Sequence, residues 1–175
     1  MAIANTTQVL VDTNKRVVIK RVGILDSDEN ETIFIDPLTL SGVLNANGLP
    51  YQTGNTLPPG FANSAFTVSR VLASVDSEVG NLQLKWQGTT TSTPIVAYGV
   101  GFNDSNPQYQ LPAISNDAVG PTGAITIKTT GTTANACYTI ILELHKNNQF
   151  YSAGQFTDPA AFNYPPYGVT PASRT

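Results

Sequence analysis

Apolar residues in this chain recur at every second position over short runs, and no window of a dozen residues shows the three-and-four spacing of a helical stripe. In residues 81–86 (NLQLKW), Leu82, Leu84 and Trp86 share one face, and Asn81, Gln83 and Lys85 share the other. In 137–145 (CYTIILELH), Tyr138, Ile140, Leu142 and Leu144 line up, and in 124–128 (AITIK), Ile125 and Ile127 oppose Ala124, Thr126 and Lys128. This is the signature of antiparallel strands with one face toward a core and one toward water. Further β-type runs occupy 8–12 (QVLVD), 16–25 (RVVIKRVGIL), 32–36 (TIFID), 66–75 (FTVSRVLASV) and 94–100 (PIVAYGV), with a short weak one at 109–111. The pattern predicts an all-β fold: an antiparallel β-sandwich, jelly-roll-like, of about eight strands with little helix. An immunoglobulin-like sandwich is the alternative, although the single cysteine removes its Cys…Trp…Cys pattern. The expected core is Leu82, Leu84, Trp86, Ile125, Ile127, Ile140, Leu142 and Leu144.

Turn residues divide these runs. Residues 76–81 (DSEVGN) read as a hairpin loop between two strong strands. The Gly-, Pro- and Asn-rich stretches 42–60 and 101–121 read as long loops. Asp36-Pro37 and Asp158-Pro159 each place a capping Asp before a Pro suited to the first helical position, and each predicts a single turn. Beyond His145 there is no periodicity, yet six of the chain's 15 aromatic residues lie there: Phe150, Tyr151, Phe156, Phe162, Tyr164 and Tyr167. Such a segment can neither satisfy its own backbone nor leave so many rings in water, so it packs on its own sandwich or on a neighbour. The expected organisation is an N-terminal arm or first strand (1–14), a sandwich domain (15–147) and a C-terminal aromatic and Pro-rich extension (148–175).

Candidate chemistry is sparse. Cys137 and His145 lie on one predicted strand about 26 Å apart, too far for a nucleophile and its base; Cys137 reads as a small buried residue and His145 as a polar strand end. Residues 26–31 (DSDENE) begin like a calcium loop, but the sixth and twelfth positions, which need Gly and Glu, hold Glu31 and Pro37. They read as an acidic strand-to-strand loop. Asp76 and Glu78 are a carboxylate pair of the kind any turn offers. Lys15, Arg16, Lys20 and Arg21 cluster, but alternation splits them between two faces. Sequons begin at Asn5, Asn30 and Asn103 in a chain with no secretion signal at its start. No phosphate-cradling glycine loop and no Cys- or His-based metal cluster is present in the sequence, and no cofactor is expected. Charged residues are 12% of the chain and the net charge is −3, while Thr, Asn and Ser supply 48 of 175 residues. That surface is polar but weakly charged, and it does not attract nucleic acid. No apolar run approaches the ~20 residues that span a bilayer.

Three stretches carry a resemblance. The opening MAIANTTQVLVDTNKRVVIKRVG, the middle NLQLKWQGTTTSTPIVAYGVG and the tail FTDPAAFNYPPYG resemble those of small virion structural proteins of tailed bacteriophages, over about half of the chain. The resemblance is one of order and style and brings no motif of catalytic residues. It implies a non-enzymatic capsid decoration, or cement, protein that binds and stabilises the phage head shell. The implied partners are the major capsid protein and further copies of the chain, as a homotrimer, without nucleic acid or membrane. The implied location is the outer surface of the capsid, after synthesis in the bacterial host cytoplasm. A neck, connector or tail component, or a carbohydrate-binding β-sandwich, are the alternatives. Partner binding is expected from Val9 and Val11 in the first strand, adding to a neighbour's sheet edge, and from Phe156, Phe162, Tyr164, Pro165, Pro166 and Tyr167 in the tail. There the rings offer area and the prolines limit the entropy lost on ordering.

Overall fold

The computed structural model describes residues 2–105 and 116–151. Nine strands form two antiparallel sheets among these residues: β1 (Ala2–Asp12), β2 (Arg16–Leu25), β3 (Thr32–Ile35), β4 (Phe66–Val75), β5 (Asn81–Thr91), β6 (Thr93–Tyr98), β7 (Gly101–Ser105), β8 (Val119–Thr130) and β9 (Ala136–Lys146). One sheet has the order β1-β2-β9-β4-β7 and the other β3-β8-β5-β6. The pairs β2·β9, β3·β8, β4·β7 and β5·β6 are each antiparallel. They are the four rungs of one long hairpin rolled into a sandwich, which is the jelly roll; β1 adds a fifth strand beside β2. Among the described residues helix is confined to α1 (Phe61–Ser64) and two single turns, Pro37–Thr39 and Ser77–Val79. No helix of the described residues is long and apolar enough to cross a membrane.

The expected core is the observed one. Leu82, Leu84, Ile125, Ile127, Ile140, Leu142 and Leu144 are fully buried, and Trp86 is buried against Phe66, its ring stacked at 5.7 Å. The turn at Pro37 forms as its residues dictate, with the Asp36 carboxylate accepting from the Leu38 N–H at 2.9 Å. The turn beginning at Asp158 and the weak strand at 109–111 lie outside the described residues.

Two local expectations are corrected. Residues 76–81 are not a hairpin loop, because β4 and β5 belong to different sheets. Val79 is fully buried at this corner and draws the chain over the sandwich edge. Gly80, at φ 73°, makes the turn where a Cβ would meet the Thr130 carbonyl at 2.5 Å. Second, the stretch 101–121 is not simply a loop, since β7 and the start of β8 lie within it. Phe150 and Tyr151, at the start of the expected extension, pack on their own sandwich, against Phe61 at 5.7 and 6.1 Å, one of the two outcomes expected for this aromatic segment. The Phe150 carbonyl accepts from the Leu44 N–H at 2.9 Å, tying that segment to the long loop.

Gly23 of β2 lies opposite Tyr138 of β9, and the tyrosine ring covers it so closely that an added Cβ would stand 2.3 Å from the ring edge. Tyr138 is fully buried and hydrogen-bonded, so it has nowhere to move. Gly23→Ala is expected to destabilise the fold by about 1–3 kcal/mol, as overpacking does; a urea midpoint matching wild type would contradict this.

Candidate binding surfaces

The sequence of β1, AIANTTQVLVD, carries no charge before Asp12 and no proline, which leaves its outer edge with none of the usual guards against pairing. Among the described residues it pairs only with β2. The expected first strand thus adds to its own sheet, and its far edge faces outward. Val9 is 53% exposed and Leu10 45%, with Val11 half-buried. The register places Val9 opposite Ile19 and, after a bulge at Leu10, Val11 opposite Val18.

Buried polar contacts clamp this strand at both ends. Near its start, the Asn5 amide donates to Glu29 Oε1 at 2.7 Å. Glu29 also accepts from Arg21 Nη2 at 2.6 Å and from the Tyr138 hydroxyl at 2.6 Å, and Arg21 reaches across the sandwich to the Ile33 carbonyl at 3.1 Å. Burial, followed by the Glu29 hydrogen bond, pushes the Tyr138 hydroxyl well above its usual range. At the far end, the fully buried ammonium of Lys146 pairs with Asp12, donates to the Ser41 carbonyl at 2.7 Å and lies 4.8 Å from the centre of the Tyr151 ring. Burial lowers the Lys146 pKa, and Asp12 opposes that shift. The Ser41 N–H also donates to Asp12 at 2.8 Å. β1 is therefore a fixed edge rather than a loose arm.

The acidic segment 26–31 is the expected strand-to-strand loop, joining β2 to β3, and two of its carboxylates are engaged. Glu29 is 4% exposed within the network above, and Glu31 pairs with Lys85 and accepts from Ser92 at 2.8 Å, which lowers its pKa, the lysine contact first. The four clustered cations form no single patch: Arg21 is buried, while Arg16 pairs with Glu143 at 3.0 Å on the opposite, outer face. Cys137 is exposed rather than buried, because its odd register turns it outward. Its thiol donates to Asp76 at 3.4 Å; that bond, then burial and the nearby carboxylate charge, raises the thiol pKa and keeps it protonated. His145 stands at the other end of β9 on the same face, as expected. The six tail residues, Phe156, Phe162, Tyr164, Pro165, Pro166 and Tyr167, lie outside the described residues.

Among the described residues are two concavities open to solvent. One, of about 450 Å³, is a bowl in the long loop lined by Asn45, Ala46, Asn47, Gly54, Asn55 and Thr56, with no aromatic wall. The other, of about 610 Å³, runs along the outer side of the five-stranded sheet, where Val22, Ile24, Ser74, Asp76, Cys137 and Thr139 line it. Alternation in the strands that build the core does not reveal this face. Its signal is present in RVVIKRVGIL, where Val18, Val22 and Ile24 stand with Arg16 and Lys20 on the side opposite Val17, Ile19 and Leu25, so the outer side of β2 is mixed apolar and basic.

The strand order defines a jelly-roll β-sandwich. No protein-family model matches the chain, and no curated protein matches it. Among solved structures it is similar to a cupin domain from Bordetella pertussis Tohama I, at 8% identity and a TM-score of 0.31, over 82% of this chain and 94% of that one.

Proposed function

We propose that this chain is a non-enzymatic virion structural protein of a tailed bacteriophage, a decoration protein that binds the assembled head shell from outside and stabilises it. The observation that supports this reading best is the β1 edge: eleven residues long, uncharged up to Asp12, clamped at both ends, and presenting Val9 and Leu10 to solvent. Such an edge is a template for an extended segment of the major capsid protein, which gains main-chain hydrogen bonds along it and packs side chains against Val9 on one side of the sheet and Val11 on the other. A domain that binds the closed lattice better than the free capsid subunit adds its binding energy to lattice stability by linkage, and many copies multiply the effect. The aromatic tail supplies a second contact. The copy number of three rests on the symmetry of a three-fold shell position, which presents three equivalent surfaces.

The test is reconstitution on shells that lack the protein. Wild type should occupy its positions fully and protect the shell against heat. Val9→Lys and Val11→Lys together put charge on the edge and should abolish decoration while leaving the thermal midpoint of the free protein close to wild type. Deletion from residue 158 onward should weaken decoration. Failure of wild type to bind any shell, or full decoration by both variants, would sink the proposal.

A further inference from the structure

We infer that the chain's own C-terminal segment, residues 152–175, lies along β1 in the free protein and covers its outer edge. The two sheets have four edge strands among the described residues, and three of them carry a guard against pairing with another chain. β3 is only four residues long, β6 contains Pro94 and β7 contains Asp104. β1 has eleven residues, and its ladder to β2 runs unbroken over residues 4–9 with neither a proline nor a charge among them. β1 also overhangs the sandwich. Asn5, Thr7 and Val9 stand opposite Gly23, Arg21 and Ile19, which are buried, yet every residue from 4 to 10 is exposed. A strand open along its edge and on both faces needs a cover, because bare edges otherwise pair with one another.

The place where the described chain ends identifies that cover. Tyr151 is the last described residue, and its hydroxyl donates to the Pro37 carbonyl at 3.2 Å. Lys146 Nζ stands 4.8 Å from the centre of the Tyr151 ring, and the same ammonium pairs with Asp12, the last residue of β1. Residues 152–175 therefore begin beside the Asp12 end of β1. Val9 and Leu10, 53% and 45% exposed, stand at that same end of the strand. A segment that starts there and runs along β1 runs antiparallel to it. Fully extended, residues 152–175 span about 80 Å, against about 17 Å from Val9 to Ala4, so length is no obstacle. Phe156 and Phe162 supply rings for Val9 and Leu10. The tether also favours this occupant over a second copy. A segment joined to the fold reaches β1 at an effective concentration of about a millimolar, so even a contact with a Kd of about 0.1 mM is filled about ten to one. On the shell, a capsid segment taking the β1 edge displaces the cover and frees its rings for the second contact. That displacement rests on the function proposed above; the docking does not.

Hydrogen exchange on the free protein, compared between the full chain and a chain ending at Tyr151, tests this. The amides of residues 4–9 that do not pair with β2 should be protected about 10-fold more in the full chain, to the same extent from about 1 to 100 μM protein, since the contact is intramolecular. The amides of β9 should exchange alike in both chains, which shows that the shortened one is folded. Should it not fold, the full-length chain carrying Phe156→Ser and Phe162→Ser takes its place and should lose the same protection. Val9→Lys in the full chain should lose it too, and Gln83→Lys on the other sheet should keep it. Equal exchange at residues 4–9 in the two chains would overturn the inference, as would protection that survives loss of both rings. Protection that rises with protein concentration would also overturn it, because a second copy would then be the cover. No shell enters the experiment, so the cover can fail while decoration succeeds, and decoration can fail while the cover stands.

Discussion

Replacing Trp86 with alanine should lower the unfolding free energy by about 3–5 kcal/mol, read as a shift in urea midpoint at constant slope. Trp86 is the largest fully buried side chain in the sandwich, and it stacks on Phe66 of the facing sheet at 5.7 Å with 30° between the rings. Removing it takes out a wall shared by both sheets, and the hydrogen-bonded strands on either side cannot close the gap. The indole N–H makes no hydrogen bond. A buried donor left unpaired is itself a cost of about 1–3 kcal/mol. Trp86→Phe keeps most of the stack and removes that donor, so it should cost far less than alanine. If phenylalanine proved as damaging as alanine, the indole N–H would have an unseen role and the packing account would be wrong.

The contrast between Trp86 and Glu29 shows what a sequence of this kind makes legible. Burial of Trp86, Leu82 and Leu84 follows from alternation alone, since a half-buried strand repeats every two residues whatever its neighbours are. The jelly roll follows nearly as directly, because short strands with turn residues between them have few ways to close. β7 escaped because GFNDS has little apolar content, and its pairing is fixed by the ladder with β4 rather than by its side chains. The corner at residues 76–81 escaped because a turn sequence does not say whether the next strand stays in its sheet. Burial of Glu29 was illegible for a stronger reason. Within DSDENE nothing local separates it from its neighbours, and its three partners come from β1, β2 and β9. The exposed sheet face sits between these cases. The pattern of β2 shows Val18, Val22 and Ile24 on its outer side, but Arg16 and Lys20 among them leave the use of that side open.

Replacing Arg21 with methionine should cost about 3–5 kcal/mol, because it removes one member of a buried ion pair and leaves the other. The side chains of Arg21 and Glu29 are 4% and 2% exposed. Without the guanidinium, the Glu29 carboxylate keeps only the Asn5 amide and the Tyr138 hydroxyl, two neutral donors against a full charge away from water. The Ile33 carbonyl loses its donor, and with it one tie between the two sheets. Replacing both members with apolar residues, Arg21→Met with Glu29→Leu, removes the stranded charge and should recover most of the loss. The Tyr138 hydroxyl would then be buried without a partner, so adding Tyr138→Phe should recover more. That ordering distinguishes an ion pair valued for its charge balance from one valued for the shape of its side chains. If the single Arg21→Met variant were as stable as wild type, the carboxylate would have found water or a proton, and the network would not be the clamp described. Hydrogen exchange supplies the link to function: in Arg21→Met the amides near Asn5 should exchange faster, while those near Asp12, held by Lys146, keep their protection. An edge strand loosened at one end is a poorer template for a partner strand, so this variant should decorate shells weakly although Val9 and Val11 are untouched.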